Sequence, residues 1–357
     1  MKVCIFLRRL PHYRIDFFET LRKNAYEENI FLDVYFGQPR ADEISKCDSG
    51  HNHWAKALNI NYINNSRIGK IAGGLPSGYD LVILPHEAML IDISLEVFYR
   101  KIGRYISFWG HGRNFQANNP NSLVENYKKI LAKKADYWFS YNALSTQSLE
   151  NINISTKKIF EVGNTVKFKQ ELKKTHIKKN ALFIGSLYKN KRIDFLLDAA
   201  RCINKKIPDF TLSIVGDGPE AEKVRYEAGK SNFINYLGAI TDNHEKAKLY
   251  QKSSIVMCPG LVGLNIVEAI KTRTPILTTI FDKHSPEIDY LNDNNGLMTD
   301  NNLCSYVDGC ISTLSGRQSF FIDEYKHRKQ LEYLDMNNMV SRFLYGLITI
   351  KEQQNIF

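Results

Sequence analysis

Short apolar runs of four to six residues alternate with longer helical patterns along most of the 357-residue chain. That alternation constrains the fold more than any other feature, because strands buried on both faces read as continuous apolar runs and belong to parallel sheets covered by helices. The fold class is α/β, with doubly wound, Rossmann-like domains. In the first half the runs predict strands at 2–7, 31–36, 80–84, 105–109, 137–140 and 159–162. The stretch 37–79 breaks the pattern with Gly73-Gly74, Pro76 and polar clusters, and reads as a variable surface segment without assigned chemistry.

Residues 167–180 hold six lysines against one glutamate and read as a solvated linker. The strand pattern restarts beyond it, at 181–184, 210–215, 234–237, 255–258 and 276–279. The expected organisation is an N-terminal domain over 1–166, a linker over 167–180 and a C-terminal domain over 181–336. A last helix, about 337–357, is expected to pack back on the first domain. Open α/β sheets bind ligands outside the carboxyl ends of their strands, so the site is expected in the cleft between two such domains.

Composition enters through charge. A 43% hydrophobic and 24% charged content is ordinary for a globular chain and excludes a disordered, collagenous or coiled-coil one. The formal net charge of +10 favours an anionic partner: nucleic acid, a phosphorylated substrate or an acidic membrane. Nucleic acid is not expected, since no recognition module accompanies the charge. The N-terminal apolar run is too short for a signal-peptide core, and no run approaches the roughly 18 to 20 residues of a membrane span. The six cysteines, Cys4, Cys47, Cys202, Cys258, Cys304 and Cys310, are scattered without a zinc-like pairing. A reducing cytoplasm without a structural metal is the reading, and any membrane contact is peripheral.

No strand-to-helix turn carries G-x-G-x-x-G or G-x-x-x-x-G-K-[ST], which argues against a dinucleotide-binding dehydrogenase and a P-loop hydrolase. Three later turns carry the chemistry. The first runs Gly185-Ser186-Leu187 to Lys191-Arg192 and into an amphipathic helix. Cations at a helix start oppose its dipole, and an anion bound there explains them as well as a solvated face does. The second is Val215-Gly216-Asp217-Gly218-Pro219. The third runs from Pro259-Gly260 through Gly263-Leu264 to Glu268, an acid inside an apolar helix that needs a partner. Ribose hydroxyls provide one; a salt bridge to Lys271 or another base is the alternative.

In order and spacing these segments resemble the nucleotide-binding domain of glycosyltransferase family 4, the retaining GT-B glycosyltransferases. The resemblance implies a GT-B fold, with Lys191 on the donor diphosphate, Glu268 on its ribose, and Gly185, Ser186, Arg192, Gly263 and Leu264 completing the donor site. The chain departs from the family at two places, where Ser186 and Gly260 replace an arginine and a glutamate. The first half matches more loosely through Pro11-His12-Tyr13-Arg14, an acceptor-side loop with His12, Tyr13 and Arg14 as candidates. It also matches at a strand-end histidine, His111, which in the family lies beside the donor sugar.

The implied reaction moves a sugar from a nucleotide diphosphate, UDP favoured over GDP, to a lipid-linked or saccharide acceptor of a surface polysaccharide such as O-antigen. Lys191 and His111 are the catalytic candidates. No cofactor is expected beyond the donor, and no metal, since no D-x-D is present to hold one. The alternatives are a GT-B epimerase or hydrolase acting without acceptor, and a non-catalytic protein that binds sugar nucleotides or a membrane surface. The charge excess lies before residue 181, with eight basic residues and one acidic between 100 and 134. That location favours peripheral contact with an anionic membrane, expected at the cytoplasmic face of the inner membrane.

Overall fold

The computed structural model describes residues 1–40, 50, 52–63, 68–100, 103–117, 119–168 and 179–355. Most of the predicted linker, with Cys47 and Lys101, lies outside these. The chain divides into two compact units: Met1–Thr165 with Asp335–Phe357, and Val166–Leu334.

Unit 1 runs β1 (Lys2–Leu7), α1 (Ile15–Glu27), β2 (Phe31–Phe36), β3 (Ala55–Ala57), β4 (Ile60–Ile63), β5 (Ile68–Ile71), β6 (Tyr79–Pro85), α2 (Ile91–Tyr99), β7 (Gly103–Gly110), α3 (Leu123–Lys134), β8 (Tyr137–Ser140), α4 (Ala143–Glu150) and β9 (Ile159–Glu161). Seven strands form one parallel sheet in the order β3-β2-β1-β6-β7-β8-β9, and β4 and β5 pair as an antiparallel ribbon. The stretch 37–79 therefore carries three strands that its polar composition hid. Along β1 the side chains alternate, Val3 and Ile5 entering one core and Cys4 and Phe6 the other. Such a strand is buried on both faces, which is why its sequence reads as an unbroken apolar run.

The helix Met336–Gln353 belongs to the first of these cores. Met339, Val340, Phe343, Leu347 and Ile350 are buried in it, and Phe343 stacks on Phe139 with ring centroids 4.2 Å apart. Gly346 lets the helix close on the sheet, since a Cβ there would lie 2.6 Å from the Phe139 ring.

Unit 2 runs β10 (Asn180–Ile184), α5 (Ile193–Lys206), β11 (Thr211–Val215), α6 (Ala221–Gly229), β12 (Ile234–Tyr236), α7 (Asn243–Lys252), β13 (Ile255–Met257), α8 (Asn265–Lys271), β14 (Ile276–Thr279), β15 (Gly296–Thr299), α9 (Leu303–Leu314) and α10 (Glu324–Tyr333). Its six strands are parallel in the order β12-β11-β10-β13-β14-β15. Both sheets reverse direction of growth beside their first strand, between β1 and β6 and between β10 and β13. In doubly wound sheets such switch points are where ligands bind.

One titratable group enclosed by aromatic rings gives unit 1 a pH dependence. His86 is enclosed by Phe108 and Trp138, each 5.0 Å away between ring centroids, and donates from Nε2 to the Lys128 carbonyl at 2.9 Å. Burial pushes its pKa down from 6.5 to about 4. Between those values only the unfolded chain binds the proton. The contribution, about 3 kcal/mol, is therefore complete above pH 6.5 and lost as pH falls toward 4. Thermal unfolding should show this loss in the wild type, and the His86→Phe variant should show a flatter profile across the same window.

Candidate functional site

In unit 2 the three glycine turns meet backbone to backbone. A Cβ on Gly216 would lie 1.9 Å from the Gly185 carbonyl oxygen, and one on Gly218 would lie 2.8 Å from that of Leu187. A Cβ on Gly260 would lie 2.4 Å from the Asn190 oxygen and 2.7 Å from the Lys191 carbonyl carbon. Gly185 and Gly216 have φ near +150°, which disfavours a side chain at both, and at Gly216 the close approach excludes one as well. Leu187 ties the first two turns, its N–H donating to Asp217 O at 2.8 Å while its carbonyl accepts from Glu220 N–H at 3.0 Å.

Lys191 stands where the turns converge. It is buried, and its Nζ donates to Leu261 O at 2.6 Å across the β10–β13 switch point. Burial holds its pKa below the ordinary lysine value, with Cys258 and Glu287 pulling the other way. A side chain at Gly185 would come within 3.7 Å of this ammonium. Arg192, the left-handed residue that opens α5, is engaged differently. Its Nη1 donates to Pro259 O, Thr279 Oγ1 and Asn301 Oδ1, and its guanidinium lies 4.1 Å from the Phe195 ring centre. It braces the third turn.

Glu268 is buried on α8, with Oε1 paired to Lys246 and Oε2 accepting from Tyr250 OH at 3.0 Å. The sequence left two partners open beside ribose, and the base is Lys246 of α7. Lys271 instead donates to Val166 O at 2.7 Å. Gly263 and Leu264 lead into α8, the Gly263 N–H donating to Asn265 Oδ1 at 3.0 Å. Ser186 lies half-buried between Gly185 and Leu187.

His284 carries no motif, and sequence reasoning missed it. Its Nδ1 accepts from the Val262 N–H at 3.1 Å and its Nε2 donates to Thr279 O at 2.9 Å. Those two bonds fix one neutral tautomer, and burial lowers its pKa accordingly. The imidazole thereby sets the loop whose Leu261 carbonyl accepts from Lys191.

In unit 1 a cavity of about 300 Å3 lies at the carboxyl ends of β1 and β6, the other switch point. Tyr13, Arg14 and His111 line it together, and His12 does not. The His111 ring packs 4.6 Å from that of Tyr141. Arg14 is buried, donating to Asn164 Oδ1 and lying 4.8 Å from the Trp109 ring centre. It thus shapes the wall and gives it charge. Arg8, Arg9, Glu87 and Tyr141 also line it, with Arg8 and Glu87 paired at 2.7 Å. No local motif announces Arg8, Arg9 and Glu87, because β1 and β6 meet only through the sheet order.

Among the described residues one trio, Asp242, His244 and Glu245, has metal-ligand spacing. It is exposed, Asp242 caps α7 by accepting from the Glu245 N–H at 2.8 Å, and Glu245 pairs with Lys248.

Two parallel sheets, each with its switch point beside its first strand, define the class. Among solved structures, the pneumococcal O-GlcNAc transferase GtfA, determined with UDP and GlcNAc, superposes with a TM-score of 0.69 over 99% of both chains at 10% identity. The fold is GT-B. Residues 178–315 match the family described as glycosyl transferases group 1, and this stretch is a domain of that kind. An uncharacterized glycosyltransferase of Haemophilus influenzae is 25% identical over 235 residues, 64% of this chain and 65% of the relative. The O-antigen biosynthesis glycosyltransferase WbnH of Escherichia coli is 27% identical over 155 residues, 43% of this chain and 44% of the relative. The chain thus spans less than two thirds of the length of these curated relatives.

Proposed function

We propose that this protein transfers a sugar from a nucleotide diphosphate, a UDP-sugar before a GDP-sugar, to a lipid-linked or saccharide acceptor, with the retaining chemistry of family 4. The observation that carries the reading is the convergence of three glycine turns on the buried Lys191. Glycine turns let a diphosphate approach main-chain N–H groups, and a fixed cation beside it favours the anion.

As the glycosidic bond breaks, negative charge grows on the departing diphosphate. Lys191 is held in place before that charge develops, so it stabilises the transition state more than the ground state. Glu268, acceptor-only when ionised, takes the ribose hydroxyls while Lys246 and Tyr250 orient it. Arg192 and His284 hold the surrounding loops. His111 positions and polarises the reacting sugar, and the cavity it shares with Tyr13 and Arg14 receives the acceptor. His12 flanks that cavity on the same loop. The reaction needs no metal.

The test is incubation with a panel of nucleotide sugars, with and without a lipid-linked acceptor, in EDTA. Nucleotide release that requires acceptor and survives EDTA is the expected result. Release without acceptor would instead establish an epimerase or hydrolase, and binding without turnover for every donor would leave a non-catalytic sugar-nucleotide protein. Loss of turnover in EDTA would overturn metal independence.

A further inference from the structure

No described helix is long and apolar enough to cross a membrane, yet unit 1 exposes apolar side chains in a pattern that solvent does not explain. On α2 the exposed ones are Ile91, Leu95, Phe98 and Tyr99, the spacing of a single helical face. On α3, which packs beside α2, they are Leu123, Val124 and Ile130, with Leu123 88% exposed. Seven large apolar groups on two adjoining helices exceed the scattered singles of an ordinary surface.

The charge on these helices points to the occupant. Lys133 and Lys134 are exposed at the end of α3. Lys129 is half-buried and hydrogen-bonded to Asn126. The acids nearby are turned inward or engaged: Glu96 and Glu125 are buried, and Asp92 accepts from the Ile71 N–H. An apolar stripe bordered by lysines is complementary to an anionic bilayer, whose acyl boundary takes the first and whose headgroups take the second.

A second cavity lies at this surface. About 600 Å3 in volume, it is lined by Met89, Leu123, Val124, Tyr127 and Lys128, and it shares the Arg8–Glu87 pair with the cavity that holds His111. We propose that the outer face of α2 and α3 docks on an anionic bilayer, and that this second cavity leads the lipid portion of the acceptor from the bilayer to the polar pocket. The route rests on the transfer reading above, whereas the docking does not.

The test is flotation of the full chain with vesicles of phosphatidylglycerol and phosphatidylcholine, without donor or acceptor, so its result stands apart from that of any turnover assay. Binding should require phosphatidylglycerol and weaken with salt. Replacing Lys129, Lys133 and Lys134 together by glutamine should weaken it by more than tenfold, at about fivefold per surface cation. The Leu123→Ser/Phe98→Ser variant should weaken it while leaving its salt dependence in place. Both variants change surface side chains and should keep the wild-type unfolding temperature. Equal binding to neutral vesicles, no binding at low salt, or variants that float like the wild type would overturn the docking. So would a dimer in sedimentation that Leu123→Ser/Phe98→Ser dissolves, because a second copy would then cover the face. For the route, turnover of a lipid-linked acceptor should fall in Tyr127→Ala while turnover of a water-soluble acceptor is kept; an equal loss with both would overturn it.

Discussion

Replacing Lys191 by methionine should lower kcat by about 100-fold or more, the loss expected when a preorganised charge beside a developing anion is removed. Methionine keeps most of the aliphatic volume, so the buried site is not emptied. Donor affinity should change less than kcat, because the ammonium acts most strongly on the charge that appears as the sugar leaves. The same side chain predicts an alkaline limb. Burial lowers its pKa below the ordinary 10.5, so the rate should decline at a pH below that expected for an exposed lysine, and Lys191→Arg should move the decline upward. Steady-state kinetics across pH, beside thermal unfolding of each variant, make the check. A methionine variant with unchanged kcat would remove Lys191 from the mechanism, and equal loss of kcat and unfolding temperature would reduce it to a strut for the Leu261 loop.

Placing at position 260 the acid usual in the family that the chain resembles should damage the protein. In this chain the site has no room, because even a Cβ would lie 2.4 Å from the Asn190 oxygen and 2.8 Å from that of Lys191. Backbone atoms do not rotate away as a side chain end does. Gly260→Glu should therefore cost at least about 2 kcal/mol of unit 2 stability, within the range of overpacked interiors. It should also lower turnover at least tenfold, since the turn it displaces carries Lys191. Gly260→Ala should show the same loss in smaller measure. Denaturant unfolding and kcat measured on both variants decide it. A stable, more active Gly260→Glu enzyme would show that the turns separate easily and that the missing acid limits the wild type.

What could be read from the sequence followed burial. Tyr137–Ser140 and Ile276–Thr279 are four-residue strands buried throughout, and their apolar runs marked both ends correctly. Gly296–Thr299 escaped because it follows four polar residues and carries one half-buried and one exposed side chain. Ala55–Ala57 escaped for a related reason, being an edge strand with two of three residues exposed. At the site, Lys191 was legible because local spacing ties it to Gly185. The partner of Glu268 was not, because Lys246 reaches it from another helix, and side-chain spacing within α8 had pointed to Lys271. Arg8, Arg9 and Glu87 were hidden more deeply. Only the crossover from β1 to β6 makes neighbours of segments some eighty residues apart.

The helix Met336–Gln353 has a consequence for how the chain is made. Its apolar face fills the core of the unit that synthesis starts first, while the second unit is one uninterrupted stretch. On the ribosome, the earlier unit must wait with Phe139 and Phe17 uncovered until that helix emerges, whereas the later unit has everything it needs beforehand. The order of completion is then the reverse of the order of translation, and a stalled nascent chain lacking the helix is the species a chaperone would meet.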